Sequence, residues 1–250
     1  MLSLAGLVGA VALPVPLPTV PRRTAEPPVP FHIGERLSYQ ARVNFINAGT
    51  ASMSIEGVEN VRGHSTYHSV FDVRGRVLFF HVDDHYESWF DPATFISYHH
   101  VQHIDESRYH ADRVYDFYPD RRVYVRNGVE NPSVDKPLDE GSFLYFMRSV
   151  PLEVGKTYTF NRYYHLDRNP VVIQVERREH IKVPAGEFDA IVLKPTIKSK
   201  GLFSEKGQAE VWLADDSSRT LLRLKSKLPV GTLYLELKQA EYASAPAPEP

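Results

Sequence analysis

Cysteine is absent from the 250 residues. That excludes disulfides, thiol nucleophiles and thiolate metal sites, and it leaves the compartment open. An excess of charge is missing too: 29 Lys and Arg stand against 31 Asp and Glu, a formal net charge of −2. Nothing global therefore draws the chain to nucleic acid or to an anionic surface. The chain has no G-x-S-x-G, H-E-x-x-H, phosphate-loop or dinucleotide-binding pattern. It also lacks the helix–strand alternation of a parallel α/β protein. Its apolar run from Leu2 to Leu13 is shorter than the ~20 residues of a membrane-spanning helix.

That run holds small residues, and Ala10-Val11-Ala12 fits an A-x-A cleavage site, although the basic flank of a secretory leader is missing. Pro14, Pro16, Pro18, Pro21, Pro27, Pro28 and Pro30 follow. Proline fixes φ and removes a donor, so this stretch reads as an extended linker. The expected organisation is a leader and linker over residues 1–30, one β domain over 31–243, and a disordered tail, "SAPAPEP", over 244–250. The expected destination is export, to the periplasm or the cell surface. No transmembrane span is expected in the mature protein.

What the chain has in quantity is period-two alternation. Leu37, Tyr39, Ala41 and Val43 share one face; Ala51, Met53 and Ile55 share another. Tyr67, Phe71 and Val73, then Val171, Ile173 and Val175, repeat the pattern. One apolar and one polar face mark antiparallel strands with a single wet side. Turn residues divide the strands: Asn47-Ala48-Gly49, Asp91 to Thr94, Asn127-Gly128, Val183 to Gly186, Asp215 to Ser218 and Pro229-Val230-Gly231. About a dozen strands are too many for a flat open sheet. The expected fold is all-β, an antiparallel meander curling into a barrel-like or two-sheet structure.

One stretch breaks the pattern. In "DEGSFLYFMRSVPL", Phe143, Phe146, Met147 and Val150 fall at i, i+3, i+4 and i+7, and Leu144 widens the stripe. A buried strand competes, because consecutive apolar residues do not resolve the period. Asp139 as N-cap, Gly141 near the start and Pro151 as a stop favour a helix over 139–149. Such an apolar helix has to be covered, at one mouth of the barrel or across a sheet edge.

The order of motifs resembles an exported bacterial family, domain of unknown function 3108. The resemblance is carried by Phe31, Gly34, Glu35, Leu37 and Tyr39, then Ala48, Gly49 and Ala51. "ESWFDPATF", "LDEGSFLYFMRSVPLEVGKTYTF", "VPAGEFDA" and "AEVWLADDSSRTLLRLKSKLPVGTLYLEL" continue it over most of residues 31–240. It departs at Gly141, which intervenes where members carry Asp and Ser ahead of the aromatic run. The resemblance implies an exported β-rich protein and implies no activity.

Histidine is the unusual residue, 11 in all, six of them between His81 and His110. A hairpin centred near Pro92 would set His85 opposite His99 and His81 opposite His103, about 5 Å apart across the strands. These four are the metal candidates; the competing reading is a solvated strand face, and neither a metal nor another cofactor is expected. Asp83 and Asp84 point to opposite faces of a strand and make no acid–base pair. Trp89 and Trp212 read as core. "RGRVLFFHV", Arg74 to Val82, mixes basic and apolar residues as a membrane-touching segment would, or as a strand whose faces swap at a bulge.

The functional expectation is a β-barrel-like protein that binds an apolar small molecule, a lipid or a protein partner, but no nucleic acid. Phe143, Phe146 and Met147 are the ligand-binding candidates. The rival is a structural or assembly protein with a filled core, and a metal-dependent enzyme stands third.

Overall fold

Period-two alternation becomes a sheet of fourteen strands. The structure, a computed structural model, describes residues 29–77, 79–198, 202–204, 206, 208–228 and 231–242. The expected leader and tail lie outside the described residues, as do most of the linker and the tip Pro229-Val230. In chain order the strands are β1 (Arg36–Val43), β2 (Ile46–Val61), β3 (His64–Val77), β4 (Phe80–Phe90), β5 (Ser97–Glu106), β6 (Tyr109–Tyr118), β7 (Val123–Arg126) and β8 (Val129–Pro132). After the helix α1 (Glu140–Ser149) come β9 (Thr157–Phe160), β10 (Val171–Val183), β11 (Gly186–Thr196), β12 (Glu210–Ala214), β13 (Leu221–Leu228) and β14 (Gly231–Glu241).

The spatial order is β8-β7-β6-β5-β4-β3-β2-β1-β14-β13-β12-β11-β10-β9, and every pair is antiparallel. It is a meander from each end, joined where β1 pairs with β14. The sheet curls. At one level the β10–β11 turn meets β14, Ala185 N–H donating to Leu237 O at 2.9 Å, and Arg223 reaches Lys182 O at 2.7 Å. The outer strands β8 and β9 do not pair. The segment leading into α1 stitches across instead: Leu138 bridges Tyr163, and Ser133 Oγ donates to Tyr164 O at 2.9 Å. The two edge strands are only four residues each, which limits edge-to-edge pairing.

The inward faces are the predicted ones. Leu37, Tyr39, Ala41 and Val43 are buried, as are Ala51, Met53 and Ile55, and Val171, Ile173 and Val175. Asn127-Gly128 forms the expected two-residue turn, with φ of 50° and 81°.

Three expectations are corrected. The first turn is Asn44-Phe45, and Asn47 to Gly49 lie within β2. Gly49 is there for close approach: at φ 148°, a Cβ would stand 2.0 Å from Arg74 O. Arg74 to Val82 is the end of one strand and the start of the next, with a turn at Phe79, rather than one strand with a bulge. The hairpin after β4 is centred later than Pro92. Asp91 accepts the Ala93 and Thr94 N–H groups at 3.0 and 2.7 Å, and its own N–H donates to Ile96 O at 3.0 Å. His85 therefore faces His103, and His99 faces Trp89.

Candidate functional site

The helix forms where the sequence placed it. Asp139 accepts the N–H groups of Gly141 and Ser142 at 2.7 and 2.9 Å, while Ser142 Oγ accepts the Asp139 N–H at 3.0 Å, a reciprocal capping box. The helix ends at Ser149; Val150 is extended, as the residue before Pro151 must be. Gly141 lies against β4, where a Cβ would come within 2.7 Å of Ser88 Cβ. Glycine at 141 thus lets the helix approach the sheet at Ser88.

Every residue from Gly141 to Arg148 is buried. An amphipathic surface helix keeps a polar face in water; this one has none along that run, and it is enclosed at one end of the curl, tied to Ser88 and Ser97 beside the β4–β5 hairpin and to Glu35 and Ser218 at the same end of the sheet. Phe143 meets Phe203 edge-on at 5.2 Å. Phe146 lies between Phe95 at 5.7 Å and Phe160 at 4.9 Å, with the Arg162 guanidinium over its ring. Met147 is fully buried. The three ligand-binding candidates share one stripe, and the side chains around them come from this chain.

Polar groups gather at both ends of α1. At the N-terminal end, His100 is fully buried on β5. Its Nδ1–H donates to Glu87 O at 2.6 Å, and its Nε2 is 3.1 Å from Glu140 Oε2. The Gln102 amide nitrogen is 3.0 Å from the same Nε2, while its oxygen accepts from Arg113 at 3.1 Å. The Gln102 amide N–H favours a neutral Nε2 lone pair, but the Glu140 carboxylate at 3.1 Å outweighs that neutral dipole: a lone pair facing it would be repelled, whereas an imidazolium N–H is attracted. Burial alone would push the His100 imidazole down, but Asp139 and Glu140 outweigh it and raise it to about 9. Burial likewise opposes the Glu140 charge, yet His100 and the Tyr163 hydroxyl, 2.7 Å from Oε1, bring it down to about 2. Oε2 is buried and sits off hydrogen-bond geometry, so its contact with His100 is ionic. Asp139 is fully buried, accepts Ser88 Oγ at 2.7 Å, and its carboxylate is spent on the cap.

An imidazole committed at both nitrogens and charged near neutrality is no general base. This cluster fastens the helix to β4 and β5. Beside it Tyr115, Phe117, Tyr124 and Tyr164 pack ring to ring at 5.3–6.3 Å.

At the other end, Arg148 is buried and grips Glu35 through two hydrogen bonds of 2.6 and 2.8 Å. Its Nη2 also donates to Pro30 O and Ser218 O, each at 3.0 Å. The Phe31 and Tyr145 rings lie 5.2 and 5.7 Å from the guanidinium carbon. His100, Glu140, Tyr163 and the Glu35–Arg148 pair were not singled out by sequence reasoning, although Glu35 stood in the opening motif.

The metal candidates occupy the outer face, each matched to a carboxylate. His85 meets Asp72 at 2.8 Å, His81 meets Asp105 at 3.2 Å, His99 meets Asp116 at 2.9 Å, and His103 meets Asp112. Among the described residues no group of three or more His, Asp or Glu side chains is arranged to hold a metal ion. Trp89 lies on this face too, stacked on His68 at 4.2 Å, while Trp212 is buried.

An opening motif that builds a cage around a helix arginine, a capped helix inside a curled meander, and the "VPAGEFDA" hairpin form one ordered set. The chain belongs to the family described as protein of unknown function DUF3108, matching it over residues 38–238. No curated protein matches it. Among solved structures it is similar to a beta-barrel-like protein of domain of unknown function DUF1849 from Brucella abortus, with 8% identity and a TM-score of 0.53, covering 85% of this chain and 99% of that one. It also matches a protein provisionally described as a lipoprotein from Parabacteroides distasonis, at 13% identity and a TM-score of 0.35, over 86% of this chain and 98% of the other. A third match, provisionally described as exported and with a YmcC-like fold, is from Bacteroides fragilis, at 11% identity and a TM-score of 0.31, covering 85% and 98%. The first likeness shows a shared barrel-like fold. Among the described residues no helix is long and apolar enough to cross a membrane.

Proposed function

We propose that this DUF3108 protein is an exported binding or scaffold protein whose interior is closed by its own helix and whose partner, a lipid or a protein, is met on the outer surface. The observation that carries this reading is the burial of α1 on every side from Gly141 to Arg148. Protein interiors are packed as densely as organic crystals, and a helix locked at both ends by charged hydrogen bonds does not move aside at low cost. Export is supported by the apolar run, the Ala10-Val11-Ala12 site and the proline linker. The other reading places an apolar ligand against Phe143, Phe146 and Met147, with the helix as a movable cover.

Native mass spectrometry of the protein from its own host, with titration of a fluorescent fatty-acid probe, separates the two. The expected result is no stoichiometric lipid and no saturable probe uptake. Saturable uptake that Phe146→Ala abolishes, with the fold retained, would overturn the filled-core reading in favour of an interior ligand.

A further inference from the structure

Antiparallel order sends the odd strands β1, β3, β5 and β7 to the same end of the sheet. The turns at 44–45, at Phe79, at 107–108 and at 127–128 all lie there. Turn tips favour Gly, Asn, Asp, Pro and Ser. Two of these tips carry phenylalanine instead, and the rings stand in solvent: Phe79 is 101% and Phe45 96% exposed. Ile46, Tyr109 and Val129 on the same rim are 55%, 46% and 63% exposed. At the opposite end no described aromatic exceeds the 51% of Tyr242.

The tips are pinned. Asn44 N–H donates to Thr232 O at 2.8 Å, and Thr232 N–H returns to Asn44 Oδ1 at 3.0 Å. Ser107 Oγ accepts the His81 N–H at 2.8 Å, and Ser107 N–H donates to His81 O at 3.1 Å, tying the β5–β6 turn to the tip that bears Phe79. The β2–β3 register, with Gly49 opposite Gly75, sets both tips at the same end of the sheet.

Positive charge lies beside them. Exposed Arg76, Arg108 and Arg126 have no ion-pair partner among the described residues. Of the nearby carboxylates, Asp83 is engaged with Arg74 at 3.0 Å and Asp105 with His81 and His110 at 3.2 and 2.8 Å, while burial and the neighbouring Asp84 raise the Glu106 carboxyl and so weaken its charge. The rim therefore combines apolar fingers with spare arginines, on a chain whose overall charge is −2.

We propose that this rim docks on a lipid surface carrying anionic headgroups, Phe45 and Phe79 entering the interfacial layer and the arginines lying among the phosphates. Amphipathic elements with aromatic and basic residues bind interfaces in this way. The two rings sit on turns separated by two strand spacings, about 10 Å. A protein partner needs a continuous patch of roughly 800 Å² a side; a fluid bilayer accepts separate fingers. A second copy docking rim to rim would oppose arginine to arginine. The proposal names the partner left open by the outer-surface reading, and so rests on it.

The test is vesicle cosedimentation of the full exported chain, using phosphatidylcholine vesicles with and without phosphatidylglycerol. The expected result is binding to the anionic vesicles, weakened by salt, and reduced on the order of tenfold by Phe45→Ser with Phe79→Ser. Arg76→Gln with Arg108→Gln should reduce it similarly and remove the preference for phosphatidylglycerol. Circular dichroism melts show that each variant folds. Failure of the folded wild type to bind anionic vesicles overturns the proposal, and so does binding that survives both double variants. A concentration-dependent dimer lost on Phe45→Ser with Phe79→Ser also overturns it, assigning the rim to a second copy. Probe uptake into the interior would count against the filled core alone, so the two readings fail separately.

Discussion

Arg148 and Glu35, 113 residues apart, meet through two hydrogen bonds of 2.6 and 2.8 Å with neither side chain more than 1% exposed. The pair gives the opening family motif a physical role. Gly34, at φ 81°, turns the chain so that its N–H donates to Ile55 O at 2.8 Å and Glu35 points inward. Phe31 supplies a ring against the guanidinium, and Tyr39 closes the wall by donating to Leu221 O at 3.1 Å. The helix is thereby fastened to the first strand and to the β12–β13 turn through Ser218.

Removing one member strands the other as a buried charge. Arg148→Met or Glu35→Leu alone should cost about 3–5 kcal/mol. The double variant should recover most of that, because two apolar side chains leave no charge behind. Urea unfolding of the four proteins in a double-mutant cycle checks this; strictly additive losses would show that the two charges act independently.

The His100–Glu140 pair sets a pH dependence. The folded His100 is raised from 6.5 to about 9, so its contribution is complete below 6.5 and is lost as pH rises through 9. The folded Glu140 is lowered from 4.5 to about 2, so its contribution is complete above 4.5 and lost as pH falls through 2. Both contribute fully between 4.5 and 6.5. On the alkaline side about 3 kcal/mol should disappear. His100→Gln should flatten that limb, read from urea midpoints below pH 6.5 and above pH 9. An unchanged alkaline loss in the variant would assign the limb to other groups.

The strands were legible because each alternates with period two over a buried inner face. Leu37 to Val43 needs no partner to be read. The helix was legible because its signals are local: Asp139 at the cap, Pro151 at the stop and a stripe between them. Registers were less so. The Asp91 side chain organises a loop reaching to Ile96, and a two-residue change in its centre moves each cross-strand partner by four, which separated His85 from His99. Gly49 was read as a turn glycine because a sequence does not distinguish a need for positive φ from a need for close approach to Arg74. His99 and His100 are neighbours, one on the outer face and one at the centre, and alternation alone does not say which. The Glu35–Arg148 pair is set by the curl of the whole sheet, so no local pattern announces it.

Phe146 offers the sharpest contrast with the rim. Its ring is 7% exposed, wedged between Phe95 and Phe160 and capped by Arg162, whereas Phe79 is wholly exposed. Truncating a packed aromatic loses both its transfer free energy and the contacts around the void. Phe146→Ala should therefore cost about 3–5 kcal/mol, while Phe79→Ala should stay within about 0.5 kcal/mol of the wild type. Equilibrium urea unfolding measures both. A helix that merely covered a cavity would leave Phe146 with contacts on one side only, and its loss would then fall well short of that range. A cost near 1 kcal/mol for Phe146→Ala would accordingly count against the filled interior, because the surrounding rings would have had little packing to lose.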